Sequence, residues 1–314
     1  MNAYLPRHVQ QRMHYREKRY MRHLTDGEVE ERINDIMLNL LALNDEAKIS
    51  LLPLHEKETH IWLEKWTHIL EEMVLRHGPY PAGMRPNMLT LPDLASDRAE
   101  RAVELMRRFA PQNRNVLIKY GKREFMEPLL KKGQLRLQPA SYFNEPSHNA
   151  AVRDDELNLH ASYVLSREDI VKIVKNPQDV PPVIPDQRVN VTHFVKTDYW
   201  LYCQTFNESA RHFVDFDNAD CCVIFHQPLN FTNRLREVAS EVMMDANFMQ
   251  GRVKYYDPII PVLPRPHVPF SKHFRYTYQT EHRICWIPKN PVEKVEPVDL
   301  ELGSFEHEAE LVII

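Results

Sequence analysis

Apolar residues recur at helical spacing through the first third of the chain and at strand spacing through much of the rest. Val29, Ile33, Ile36, Met37, Leu40 and Leu41 mark one helical face. Thr25-x-x-Glu28 ahead of them reads as a capping box. A second helix over about residues 58–77 turns Trp62, Trp66, Ile69, Leu70, Met73 and Val74 inward and stops at Gly78-Pro79. After a proline-rich connection (Pro79, Pro81, Pro86, Pro92), Ser96 caps a third helix with Ala99, Val103, Met106 and Phe109 on its inner face.

The texture changes at Pro111. A strand over 116–120 ends at Gly121, and a short helix over 123–132 follows despite Pro128 and closes at Gly133. The next strand covers 135–138 and leads into the turn Ser141-Tyr142-Phe143-Asn144-Glu145-Pro146. Further strands are expected at 191–196, 199–206, 221–226 and 253–256, with helices near 167–175 and 232–248 and a proline-bearing surface loop over 176–190. The chain finishes with strands at 275–287, 298–302 and 310–313. The expected class is α+β: a helical N-terminal region, residues 1–112, packed on a mixed, mainly antiparallel β-domain, residues 113–314.

Within 276–286 the alternation sorts chemistry by face. Gln279, Glu281 and Arg283 share one face, and Tyr276, Tyr278, His282, Ile284 and Trp286 share the other. A solvated Glu–Arg pair on a half-buried strand explains this pattern. A small polar site explains it as well.

Composition narrows the classes. At 314 residues the chain is long enough for one large domain or two modest ones, and 43% hydrophobic with 27% charged residues is ordinary for a globular protein. A net charge of −4 argues against a protein that binds nucleic acid over its whole surface. The basic, aromatic segment 1–24 (Arg7, Arg12, Arg16, Lys18, Arg19 and Arg22 beside Tyr4, Tyr15 and Tyr20) reads either as a solvated helical arm or as a contact surface for nucleic acid or an acidic partner. No apolar run approaches a membrane span, and the opening residues lack a signal-peptide core. Four cysteines without framework or metal spacing make the cytoplasm the expected compartment.

Only seven glycines are present, at 27, 78, 83, 121, 133, 251 and 303, and no two form a G-x-G turn. Dinucleotide fingerprints and phosphate loops are excluded, so any nucleotide must be held by another architecture. His55 and His60 resemble a zinc motif, but they stand about 500° apart around a helix and do not converge. No G-x-S-x-G elbow exists, and Cys203 falls in an expected strand. Arg153-Asp154-Asp155-Glu156 and the group Asp215, Asp217, Asp220 are acidic clusters that suit either a divalent cation or a solvated loop. Asp257 with Glu281-x-Arg283 resembles the acidic-plus-basic triad of restriction-type nucleases, with arginine where lysine is expected.

The order of these motifs carries a further resemblance. The strand with Lys119-Tyr120-Gly121, the helix, Gly133, the next strand and the polar turn resemble the opening β-α-β of mono-ADP-ribosyltransferases, and Gln279-Thr280-Glu281 is similar to their closing Q-x-E strand. An uncharacterised bacterial domain family with motifs L-Y-K-Y, F-N-D-P, C-F-S and E-x-E-x-R is similar too. It corresponds to Leu117-Ile118-Lys119-Tyr120, Phe143-Asn144-Glu145-Pro146, Cys203-Gln204-Thr205 and Gln279-Thr280-Glu281-His282-Arg283. The resemblance covers about 113–314. It departs from the transferase pattern in the middle motif and in the Lys119-Tyr120 that stand where an arginine or histidine is usual.

The resemblance implies an ADP-ribosyltransferase-type β-domain that uses NAD as substrate, with no metal. Glu281 would stabilise the oxocarbenium-like transition state, and Gln279 would orient the acceptor. Tyr120 would stack on nicotinamide, Lys119 or Arg153 would meet the pyrophosphate, and Thr205 would bond the ribose or the nicotinamide amide. The implied role is a toxin or phage-defence effector. Its acceptor would be a macromolecule, nucleic acid before protein, and an antitoxin-type inhibitor protein is an implied partner. A metal-dependent nuclease and a non-catalytic binding module on the same fold are the alternative readings.

Overall fold

A computed structural model describes residues 5–79, 94, 96–108, 115–180, 188–216, 219–260 and 266–314. Phe109, Asp217 and most of the two proline-bearing connections lie outside the described residues. The N-terminal region contains α1 (Arg7–Lys18), α2 (Asp26–Leu40), the hairpin β1 (Leu41–Leu43) and β2 (Ile49–Leu51), α3 (Lys57–His77) and α4 (Asp97–Arg108). Thr25 caps α2: its hydroxyl accepts from the Glu28 amide at 3.2 Å and Glu28 accepts from the Thr25 amide at 2.7 Å. α3 stops at Gly78, whose φ of 81° lies in the range that favours glycine. The hairpin β1–β2 departs from the helical spacing, which runs on through Leu41 while the backbone there turns extended.

Within the basic N-terminal segment, residues 5–24 are not simply a solvated arm. Tyr15 is fully buried and donates to Glu72 at 2.5 Å, Arg16 pairs with Glu71 at 2.5 Å, and Arg19 pairs with Glu72 at 3.0 Å. Arg76 adds a further bond to Glu72 at 2.7 Å. Two carboxylates with no exposed surface on α3 need cations, which come from Arg16 of α1, Arg19 just after it and Arg76 of α3 itself.

The rest of the chain comprises β3 (Leu117–Gly121), α5 (Arg123–Lys132), β4 (Gln134–Pro139), β5 (Asn158–Val164), α6 (Arg167–Ile173), β6 (Arg188–Phe194), β7 (Trp200–Thr205), α7 (Arg211–Asp215), β8 (Cys221–Phe225), α8 (Pro228–Val242), β9 (Ala246–Arg252), β10 (Lys254–Tyr256), β11 (Ser271–His273), β12 (Glu281–Pro288), β13 (Val298–Glu301) and β14 (Ala309–Ile313). Eight strands form one antiparallel sheet in the order β13-β4-β7-β3-β8-β14, with β12 also on β7 and β9 outside β12. β5–β6 is a separate antiparallel pair, and β10–β11 pair in parallel. The architecture is therefore mixed α+β. Leu137, Val223, Phe231, Leu235, Trp286 and Phe305 fill the face under α5 and α8. Ile118, Ile224 and Val312 meet Met106 of α4 and Phe213 of α7 on the other face. The N-terminal helices dock through their own core, which takes in Ile259 and Phe274, with the Trp62 and Phe274 rings stacked at 5.8 Å.

β7 organises the sheet. One of its edges is laddered to β12 along its length, from Thr205↔Glu281 to Trp200↔Trp286. The other edge is shared: β4 covers its start at Trp200 and Leu201, and β3 touches only its end at Thr205. Between them the edge of β7 is open, and there the Lys119 side chain, rather than a strand, bonds the Cys203 carbonyl at 2.7 Å.

Three expectations are corrected. The strand foreseen over 275–287 begins only at Glu281; residues 274–279 form a tight 3-10 turn, and Thr280 is left-handed with φ 43°. The cause lies in α2: Asn39 donates to the carbonyls of Phe274 (3.3 Å) and Arg275 (2.9 Å) and accepts from the Tyr278 amide (2.9 Å). Second, the helix foreseen over 232–248 starts at Pro228 and ends at Val242, and the remainder becomes β9 because the outer edge of β12 needs a partner. Third, the Glu281–Arg283 pair is not solvated, since every side chain from Glu281 to Trp286 is buried.

Candidate functional site

The open edge of β7 borders a cavity of about 300 Å³. Its walls are apolar and aromatic, with Ile118, Tyr120, Phe125, Phe143 and Phe216, and its polar wall holds Glu156, Lys272, Gln279 and Glu281. β3 contributes Lys119 and Tyr120, β7 contributes Cys203, Gln204 and Thr205, β12 contributes Glu281, and β11 contributes Lys272.

The polar wall is a closed network. Arg283, fully buried, bonds Glu281 at 2.6 Å and Glu156 at 2.5 and 2.7 Å, and donates to the Pro269 carbonyl at 3.0 Å. Lys272 donates to Glu281 at 3.0 Å and to Gln279 at 3.1 Å and stands 3.9 Å from Glu156. The Tyr255 hydroxyl accepts from the Glu281 amide at 2.8 Å, which fixes the first residue of β12.

Electrostatics divide the two carboxyls. Burial alone pushes Glu281 up, but Arg283 and Lys272 beside it reverse this and hold it well below the usual carboxylate range. Glu156 shares Arg283 and has only a distant Lys272. Burial, with Asp154 and Glu281 nearby, pushes it up to about 7. Glu281 therefore keeps the negative charge, and Glu156 is the carboxyl that takes a proton first. His212, also on the wall, is lowered by burial to about 4 and is neutral at pH 7. Burial raises the Cys203 thiol well above its ordinary value, so it is not an activated nucleophile.

Of the residues singled out from the sequence, Lys119, Tyr120, Thr205, Gln279 and Glu281 line this one cavity. Arg153 does not: its side chain is exposed, and only its backbone carbonyl takes part, accepting from the Tyr276 hydroxyl at 2.7 Å. The hydroxyl of Tyr120 is paired with the backbone of Ser209, and its ring packs edge-on against His212 and Phe213. Thr205 is occupied by the Thr280 hydroxyl at 2.9 Å and the Asn207 amide at 3.0 Å. Gln279 reaches the site from the 3-10 turn, with its amide nitrogen donating to the Ala151 carbonyl at 2.8 Å.

The other candidates go elsewhere. Asp257 is bound by Arg32 at 2.7 and 2.9 Å and by Lys65 at 2.5 Å, which ties β10 to α2 and α3 rather than completing a triad with Glu281. Asp215 pairs with Arg211 at 2.9 Å, and Asp220 receives the Arg123 amide at 2.6 Å. Among the described residues no group of three or more His, Cys, Asp or Glu side chains is placed to hold a metal ion.

Two members of the network escaped sequence reasoning. Glu156 was visible only as part of an acidic cluster. Lys272 lies in a segment with no pattern to mark it. No family model, curated protein or solved structure matches this chain, so the meaning of the site rests on its own geometry.

Proposed function

We propose that the protein is an NAD-dependent mono-ADP-ribosyltransferase that works at the cavity beside Glu281. One observation carries the reading: the three strands bearing the family-like motifs lie side by side and bring Lys119-Tyr120, Thr205 and Glu281 to one aromatic-walled cavity. This placement supports an ADP-ribosyltransferase-type β-domain. A cavity of this size, at the low end for ligand sites, takes nicotinamide and its ribose and leaves the adenylate end outside.

In the reaction the bond between the ribose anomeric carbon and the nicotinamide nitrogen breaks, and the electron pair leaves with nicotinamide. The cation that develops on the sugar is met by Glu281, whose charge is already fixed by Arg283 and Lys272 and needs no reorganisation. The acceptor nucleophile then bonds to the anomeric carbon and releases its proton to solvent, so that NAD and acceptor become ADP-ribosylated acceptor, free nicotinamide and one proton. Gln279 keeps a lone pair on its amide oxygen beyond the one used by Lys272, and this is the group that would orient the acceptor. The arginines at 16 and 19 are engaged with α3, so they no longer argue for nucleic acid over protein as acceptor. A nuclease reading finds no support in the position of Asp257.

The test is incubation with labelled NAD and cell extract, followed by separate nuclease and protease digestion. Transfer of label that is lost in Glu281→Ala is the expected result, and the digest that frees the label names the acceptor. No NAD consumption, with magnesium-dependent cleavage of nucleic acid instead, overturns the proposal. So does tight partner binding without either activity.

A further inference from the structure

Gln279 and Glu281 do not share a strand face, because the chain between them is a 3-10 turn ending at a left-handed Thr280. Their side chains nonetheless meet. Lys272, 4% exposed, points its ammonium at both, 3.1 Å from the amide oxygen of Gln279 and 3.0 Å from the carboxylate of Glu281. We infer that Lys272 is a positioning residue that makes Gln279 and Glu281 a single unit, replacing the alignment that strand periodicity would otherwise supply.

Three features fit this role. β11, which carries Lys272, is paired in register with β10, and Tyr255 of β10 fixes the Glu281 amide, so two neighbouring strands hold the same residue from two directions. The Lys272 ammonium lies 4.6 Å from the centre of the Tyr276 ring, which covers it from the side of the turn. An ammonium has three donors, and here two are committed to the pair while the third side faces Glu156 at 3.9 Å. The charged groups around it are Glu281, Glu156, Asp154 and Arg283. Removing the lysine therefore leaves three acids beside one arginine and frees the Gln279 oxygen.

This inference rests on the transferase reading for its kinetic consequence but not for its structural one, and the experiment separates them. Lys272→Met and Lys272→Gln are compared with Lys272→Arg. Turnover of NAD is expected to fall about a hundred-fold in the first two with KM nearly unchanged, as a displaced catalytic group requires. The acid limb of the pH–rate profile should move up. Carboxyl ¹³C NMR of Glu281, assigned by loss of its signal in Glu281→Gln, should show its titration moving up toward the ordinary range in Lys272→Met and staying low in Lys272→Arg. If the neutral variants do not fold, the wild-type protein still decides: the Lys272 ammonium should give a slowly exchanging ¹⁵N signal coupled across hydrogen bonds, and this signal should collapse in Glu281→Gln.

A folded neutral variant in which Glu281 titrates as in the wild type overturns the inference, as does a wild-type Lys272 ammonium in fast exchange with water. If the wild-type protein consumes no NAD but the titration shift is seen, the positioning role stands and the reaction reading falls.

Discussion

Two clusters of buried carboxylates divide this molecule. Glu71 and Glu72 sit on α3 with no exposed surface, and Glu156 and Glu281 sit beside the β-domain cavity with almost none. Both clusters are neutralised by arginine at close range. They differ in where the cations come from. In the first cluster Arg16 and Arg19, 59% and 37% exposed, reach inward from the surface to join the mostly buried Arg76, whereas in the second Arg283 is fully buried and Lys272 nearly so. They differ also in what lies in front of the acids: side chains of α1 in one case, a cavity of about 300 Å³ in the other. A buried ion pair is weak evidence for stability or for function by itself. What marks a site is that acids and cations are enclosed together along the wall of a space that a ligand can enter.

The largest effects are expected at the cavity. On the transferase function proposed above, Glu281→Gln should lower NAD turnover about a thousand-fold, the scale of removing a preorganised charge from a transition state. Glu72→Gln should leave turnover per folded molecule unchanged. Equal losses in the two variants, measured with labelled NAD at matched folded fractions, would erase the distinction. In stability the order reverses. Glu72→Ala strands a buried tyrosine hydroxyl and takes a carboxylate from two arginines, Arg19 and Arg76, and urea unfolding should register a loss of about 2–3 kcal/mol, moderated because Arg19 can turn to water.

Asn39→Ala connects the two regions. It removes an amide that satisfies three backbone groups of the 274–279 turn and should cost about 1–2 kcal/mol. Turnover should fall as well, because the turn carries Gln279. An Asn39→Ala protein with full turnover would show that the helical region is not needed to shape the site.

The smallest effect concerns pH. His212 and His282 are each lowered to about 4, chiefly by burial, from 6.5. Between pH 6.5 and 4 the unfolded chain binds protons that the folded protein refuses, so these two residues make stability fall on acidification. Asp35, raised by burial to about 6, acts in the opposite direction over part of the same interval. The double variant His212→Phe, His282→Phe should therefore lose less melting temperature than the wild type between pH 6.5 and 4. An unchanged pH slope would place the histidines' burial in doubt.

Much of this arrangement is legible in the residues. Helical spacing and caps locate α2, α3 and α4, and the alternation of 116–120 and 199–206 locates β3 and β7. Glu281 stands out because an acid within an aromatic strand needs a reason. The limits are equally physical. Asn39 acts on backbone more than 230 positions away, so alternation alone reads 276–286 as unbroken strand. Lys272 is one lysine among many until β10–β11 pairing delivers it to the cavity. Arg153 looked suitable by type, but type does not say which way a loop side chain points.

Thr280 shows what such a site asks of the rest of the protein. A β-branched residue at φ 43° sits where glycine would be at ease. Thr280→Gly should relieve strain of about 1 kcal/mol while removing the hydroxyl bond to Thr205 and giving the link between Gln279 and Glu281 more than one shape. Selection for durability alone would favour the glycine. A fixed spacing between the Gln279 and Glu281 side chains favours the threonine, even in a fold that uses left-handed glycines at Gly78, Gly133 and Gly303.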